Sequence, residues 1–304
     1  MNKMLWSLVV AGLLGLASDS TFAGVLEKSV TGTPKVQSID TIRFASEGVL
    51  LIGDGRGSQV FAVATGDVKP AGSWKANTKI EKIGTKLGAR VGAKEIKIVS
   101  LAVNPASKRV YFAVQVGNQP AILTLDANGE IGELALEKVT YARIVLAKGE
   151  QAAISRITDL AVAEDRILVA AQANEQFGSK VYSIPLPLHH DASSPVFSTE
   201  TYHVSHRRWE TRAPMQALMP FRQDGKNYVV GSFACTPVVK YPLDDLQPGA
   251  KVKGSSVIEL GSGNRPLRMI SYKKGKKTYV LMNTFRFHHK KRPLGAQPLL
   301  DSAH

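Results

Sequence analysis

The sequence predicts an all-β fold made by radial repetition, a β-propeller of about five to six four-stranded blades, with truncation at the C-terminus left open. The first sign is a recurring apolar-x-x-apolar opening: Ile39-Asp40-Thr41-Ile42, Ile98-Val99-Ser100-Leu101, Ile157-Thr158-Asp159-Leu160, Met215-Gln216-Ala217-Leu218 and Leu267-Arg268-Met269-Ile270. Its second apolar position returns at Ile42, Leu101, Leu160, Leu218 and Ile270, in steps of 59, 59, 58 and 52 residues. A fixed period of that size marks a supersecondary unit that must stack on its neighbours to bury a core. The second sign is the pattern after each opening. Turn residues (Ser46-Glu47-Gly48, Asn104-Pro105, Glu164-Asp165, Asp224-Gly225, Lys274-Gly275) lead into short runs at Val49–Ile52, Val110–Val114, Ile167–Ala171, Tyr228–Gly231 and Tyr279–Met282. Third strands fit Val60–Val63, Ala121–Leu125, Val181–Ile184 and Val238–Tyr241, and weaker fourth strands fit Tyr141–Leu146, Thr201–Ser205 and Ser256–Leu260.

Four antiparallel strands per unit, repeated radially, describe a propeller, whereas a sandwich has no reason to repeat at 59 residues. Helical repeats fail because the apolar runs are short, β-branched and interrupted by turns. One segment alone reads as a helix, where Ile80, Ile83 and Leu87 share a face and Gly88 is the expected stop. It falls inside the long insertion between the first two units.

Stretches such as Asp159-Leu160-Ala161-Val162 followed by Arg166-Ile167-Leu168-Val169-Ala170, and Ser179-Lys180-Val181-Tyr182-Ser183-Ile184, resemble exported bacterial propellers of the YVTN, NHL and quinoprotein-like (WD40-like) groups. The resemblance covers most of residues 38–283 and implies a fold and a compartment. It transfers no catalytic residue, because such folds host unrelated activities.

Residues 1–23 read as a signal peptide: Lys3, an apolar run from Leu5 to Leu16, then Thr21-Phe22-Ala23 before Gly24. That run is shorter than the roughly 20 residues a membrane-spanning helix needs. A periplasmic or secreted bacterial location is the expectation, with no transmembrane segment after cleavage. The propeller domain is assigned to 24–283 and residues 284–304 to a disordered tail that matches no repeat. The piece from Val25 to Ser38 is a candidate outer strand for the last blade. Cys235 stands alone, so no internal disulfide is available, and its neighbours Gly231-Ser232-Phe233-Ala234 suggest a buried small apolar residue.

Chemistry is sparse. His203 and His206 sit three apart, and in a strand they face opposite sides, so they do not share a metal. His189-His190-Asp191 reads as a solvated loop flanked by prolines. Gly53-Asp54-Gly55-Arg56-Gly57 reads as a tight turn, because a phosphate loop would need a following Lys-Ser/Thr and a helix. Calcium loops and nucleophile elbows are missing from the sequence, so no cofactor is expected. The chain carries 39 Lys and Arg against 25 acids, a net charge of +14. Four of the five openings are preceded within three residues by a cation: Lys97, Arg156, Arg212 and Arg265. In a propeller these positions rim one mouth of the central channel, where a ring of cations favours an anion. Export removes nucleic acid as the partner and leaves an anionic ligand, a glycan or an acidic protein, bound by a monomer. A binding or interaction module is therefore favoured over an enzyme. The alternative is a lactonase-like hydrolase whose channel metal would be held by Asp40, Asp159 and Asn264.

Overall fold

Continuous apolar strands need cover on both faces, and that requirement organises the molecule. A computed structural model describes residues 24–286 and 297–298, apart from 76–77, 148–152, 195, 201, 204–206, 210–212, 235–236, 248, 262–263 and 276. The signal segment, Cys235, His206 and most of the expected tail lie outside the described residues.

In chain order, β1 (Leu26–Lys28) and β2 (Val30–Gly32) precede β3 (Thr41–Ser46), β4 (Val49–Asp54) and β5 (Gln59–Ala64). The helix α1 (Ile83–Arg90) leads to β6 (Lys97–Val103), β7 (Val110–Val116), β8 (Gln119–Leu125), β9 (Ile131–Glu133) and β10 (Val139–Leu146). Next come β11 (Ile154–Ala163), β12 (Arg166–Ala173), β13 (Ser179–Pro185), β14 (Leu188–His189), β15 (Ala192–Ser194) and β16 (Val196–Glu200). A short hairpin of β17 (Tyr202–His203) and β18 (Arg208–Trp209) is followed by β19 (Met215–Gln223), β20 (Lys226–Phe233) and β21 (Pro237–Pro242). The remaining strands are β22 (Lys251–Lys253), β23 (Ser255–Glu259), β24 (Asn264–Lys274), β25 (Lys277–Arg286) and β26 (Gln297–Pro298).

These strands form an all-β fold of mainly antiparallel sheets. Sheet I is β3-β4-β5-β10 with β15 and β2 added; sheet II is β6-β7-β8-β9; sheet III is β11-β12-β13-β16-β22; sheet IV is β19-β20-β21-β23; sheet V is β24-β25-β26. The fourth strand of sheet I is unexpected. Tyr141 to Val145 pair with Val63 to Gln59, so a strand that sequence spacing assigns after unit two returns to unit one. Its alternating buried residues Ala142, Ile144 and Leu146 join the core under β4 and β5, which is the burial that draws it there. The N-terminal piece does the same: β2 pairs with β10 in sheet I, not with the last sheet. β1 lies parallel to β14, where His189 Nε2 meets Glu27 Oε2 at 2.5 Å and Arg143 is ion-paired to Asp191. The histidine loop is thus a clasp for the N-terminal strand.

The first strands of the sheets pack side by side in the order β6, β3, β11, β19, β24. Each neighbouring pair of sheets encloses a core: Tyr111 and Ile122 with Ile42 and Phe61; Leu51 and Val60 with Leu160 and Tyr182; Leu168 and Val181 with Leu218 and Tyr241; Met219 and Val230 with Met269 and Val280. The central strand β4, sandwiched this way, buries every residue over Val49–Asp54. Among the described residues, sheets V and II share no such core. The outer part of sheet II's remaining face is covered by α1 and the chain around it, with Leu87 against Phe112, Val114 and Leu123, and with Ile80, Ile83 and Trp74 around them. Sheet V keeps one face open, and β25 alternates accordingly: Val280 is buried and Leu281 exposed.

Three expectations are adjusted. The fifth unit gains a third strand, since Gln297 and Pro298 pair with Val280 and Tyr279, and β25 itself continues to Arg286. A bulge between Pro266 and Arg268 puts Met269, not Ile270, opposite Met282 and in the place of Leu218. Finally, α1 runs through Gly88 to Arg90. Gly88 is required there because a Cβ would stand 2.6 Å from the Ala93 carbonyl oxygen, and the Ala93 N–H donates to the Gly88 carbonyl.

Gly88→Ala therefore reverses the usual helix-propensity gain of about 1 kcal/mol. Overpacking against the Ala93 backbone costs roughly 1–3 kcal/mol. Urea unfolding is expected to show a lower midpoint for Gly88→Ala, whereas Gly84→Ala, with open space around it, leaves the midpoint unchanged or raises it.

Candidate functional site

The first strands lie side by side, and a repeated bulge decides which side chains of their openings meet across sheets. Pairing slips between Ile98 and Ser100, between Ile157 and Asp159, between Met215 and Ala217, and between Pro266 and Arg268. The extra residues are Val99, Thr158, Gln216 and Leu267. A bulge re-aims the side chains around it. Thr158 Oγ1 consequently donates to the Met215 carbonyl of the next sheet. Gln216 turns its amide into the space between β11 and β24.

Gln216 is where two of the expected cations meet. Arg156 Nη2 donates to Gln216 Oε1 at 3.0 Å, and Arg265 donates to the same oxygen through Nε at 3.1 Å and Nη2 at 2.7 Å. One neutral acceptor thus serves two guanidinium groups, whose donor geometry places the amide oxygen toward them. The Gln216 Nε2 and Arg156 Nε groups are buried without a hydrogen-bond partner among the described residues. Burial holds the Arg156 guanidinium below the ordinary arginine value; Arg265 beside it pushes the same way, and Asp40 opposes both.

Asp40 is the local counter-charge. Its Oδ2 accepts the Gly55 N–H at 3.1 Å and the Ile157 N–H at 2.9 Å. Gly55 lets the turn come this close, because a Cβ there would lie 2.1 Å from Asp40 Oδ2 and 2.6 Å from the Arg156 Cα. Of the Gly53–Gly57 segment, Gly53 and Asp54 end β4, and Gly55 to Gly57 lie in the turn to β5. Burial raises the Asp40 carboxyl above its ordinary value of 3.8, partly offset by those two N–H donors. Of the other rim cations, Lys97 begins β6 and is exposed, and Arg212 lies outside the described residues.

A second layer lies deeper along the axis. The residues after the bulges, Ser100, Asp159 and Arg268, are equivalent positions on three sheets, and they meet. Arg268 Nη1 donates to Asp159 Oδ1 at 2.5 Å, and Arg268 Nη2 reaches Ser100 Oγ at 2.7 Å. Arg43 Nη2 joins the same Asp159 oxygen at 3.3 Å, while Asp159 Oδ2 accepts the Leu218 N–H at 3.0 Å. Asp159 is buried and both arginines are partly exposed. Burial lowers the Arg268 guanidinium, Asp159 raises it, and Arg43 lowers it again. Ser100 Oγ also accepts the Ile42 N–H.

The acid set of the hydrolase alternative is distributed differently. Asp40 and Asp159 belong to separate layers, and Asn264 donates through Nδ2 to the Leu260 carbonyl. Among the described residues no group of three or more His, Cys, Asp or Glu is placed to hold a metal ion. Gln216, Arg43, Arg268 and Ser100 were not singled out by sequence. Gln216, Arg268 and Ser100 offer the signal of a polar residue inside an apolar opening, as in Met215-Gln216-Ala217-Leu218 and Leu267-Arg268-Met269-Ile270, whereas Arg43 follows its opening.

No family model matches the chain, and no curated protein matches it. Solved structures do. One is a GH43 glycoside hydrolase engineered for endo-xylanase and exo-arabinofuranosidase activity, with TM-score 0.31 and 11% identity over 84% of this chain and 49% of that one. Another is PorZ, a bacterial surface component of the type-IX secretion system of Porphyromonas gingivalis, with TM-score 0.29 and 9% identity over 90% of this chain and 34% of that one. The chain spans about half the length of the first and about a third of the second. Likeness at this level carries neither activity nor location across.

Two variants separate the layers. Asp159→Asn leaves two partly buried guanidinium groups without their carboxylate, and breaking a buried pair costs roughly 3–5 kcal/mol, read from the urea midpoint. Asp40 behaves oppositely. Its raised folded-state pKa means that it adds stability at low pH and loses it as pH rises above 3.8 through the folded value. Asp40→Asn is expected to flatten that dependence in unfolding curves recorded across mildly acid pH.

Proposed function

We propose that the chain is an exported, monomeric β-propeller, its five sheets serving as blades, that binds an anionic ligand or partner at the mouth formed by Arg156, Arg265 and Gln216. The reading rests on one observation: two guanidinium groups share a single neutral amide oxygen. Arginine beside arginine is unfavourable until an anion enters, and a carboxylate, sulfate or phosphate oxygen makes stronger, charge-assisted bonds than the amide does. The orphaned Gln216 Nε2 and Arg156 Nε supply two further donors to that anion. Asp40 is a weak internal competitor, one carboxylate against two cations. Lys97 and Arg212 extend the basic rim in this reading, and the chain's net charge of +14 steers anions toward it. Glycans and acidic protein surfaces supply such anions outside the cell. Among the described residues no helix is long and apolar enough to cross a membrane.

The test is salt elution from an anionic resin. Arg156→Ser with Arg265→Ser is expected to lower the elution salt sharply. A control pair that removes equal charge from the β24–β25 hairpin tip, Lys274→Ser with Lys277→Ser, shifts elution less. Equal shifts for the two pairs overturn the reading. Asp40→Asn is expected to raise the elution salt, because it removes the internal competitor.

A further inference from the structure

The opposite end of the axis holds a cavity of about 570 Å³ that the rim site does not use. Its walls are the later halves of the first strands: Phe44, Leu101, Val103, Val162, Met219 and Ile270. Leu101, Val103 and Ile270 are each 50% exposed, whereas Leu160 and Leu218, at the place of Leu101 in sheets III and IV, are buried. The polar end is the second layer. Arg43 and Arg268 line the cavity, no acid among the described residues does, and Asp159 lies behind them with one charge against two. The Arg43 Nε is buried without a partner among the described residues, and Arg43 Nη2 holds Asp159 only at 3.3 Å.

We propose that this cavity binds an amphipathic monoanion, an alkyl carboxylate whose head meets Arg43 and Arg268 and whose chain covers Leu101, Val103 and Ile270. Charge fixes the head: the lining leaves one uncompensated cation, which an anion neutralises and a neutral or cationic group does not. Apolar walls fix the tail, since water contact with three half-exposed aliphatic side chains is relieved only by an apolar occupant. The volume falls within the range of small-molecule sites. A phosphate or sulfate alone fits poorly, because it leaves those walls wet; this separates the cavity from the rim, whose donor groups are those of Arg156, Arg265 and Gln216. The site stands independently of the rim reading.

Isothermal titration of the full chain with decanoate, below its micelle concentration, tests the proposal. Saturable binding is expected, at least tenfold tighter than to decanol and with no competition from acetate. Val103→Trp fills the cavity from a half-exposed position and is expected to weaken decanoate at least tenfold while circular dichroism stays unchanged. Arg43→Met is expected to weaken decanoate and leave decanol unaltered. Arg156→Ser with Arg265→Ser leaves decanoate binding intact. Absence of decanoate binding, equal affinity for decanol, an unchanged affinity in Val103→Trp, or loss of binding in the Arg156/Arg265 variant each overturns it.

Discussion

The Asp159 carboxylate is the joint on which the axis of the molecule depends. It stands on sheet III, takes Arg43 from sheet I and Arg268 from sheet V on one oxygen, and accepts the Leu218 N–H of sheet IV on the other. Arg268 then continues to Ser100 and the Leu101 carbonyl on sheet II. A single buried charge thereby touches or reaches each of sheets I to V. Taking a carboxylate out of water is costly, and only several donors at once make it tolerable. The repeated bulge places Asp159, Arg268 and Ser100 at equivalent positions of three sheets, and Arg43 joins them from the unbulged start of β3.

The interval between sheets V and II shows what happens where that arrangement is incomplete. Four neighbouring pairs of sheets bury apolar cores, and the insertion carrying α1 covers part of sheet II's remaining face. The inner strands on either side keep Leu101, Val103, Leu267 and Ile270 exposed, with Arg268 spanning between them. Both proposed ligand sites border this axis, and both arise from arginines that outnumber their acceptors. They differ in the walls: backbone turns and amides at the rim, aliphatic side chains at the other end.

Much of the architecture was legible because it is set by short-range rules. Strand positions followed from β-branched runs between turn residues, and the period of the openings located four of the five first strands in register. A helix through Ile83 and Leu87 followed from its spacing, although its ends did not: it starts at Ile83, leaving Ile80 outside, and Gly88 answers to the Ala93 backbone and not to a helix end. Return of β10 to sheet I was invisible for another reason: its alternating pattern specifies that one face is buried but not which sheet buries it. In the fifth unit the register slipped by one residue, because Pro266 and not Leu267 takes the place of Ile98, Ile157 and Met215 before the bulge, and apolar spacing alone does not mark that.

At the sites, residue type was readable and partnership was not. Sequence alone determined the strand units, the basic balance and the cations that precede the openings, including Arg156 and Arg265. Tertiary structure alone decided that these two share Gln216, that Asp159 is held by arginines from sheets I and V, and that the order of packing is II, I, III, IV, V. The physical reason is range. Periodicity and turn chemistry act over a few residues, whereas Arg268 meets Ser100 across 168 positions of chain, and only the packing of the sheets brings that pair to 2.7 Å.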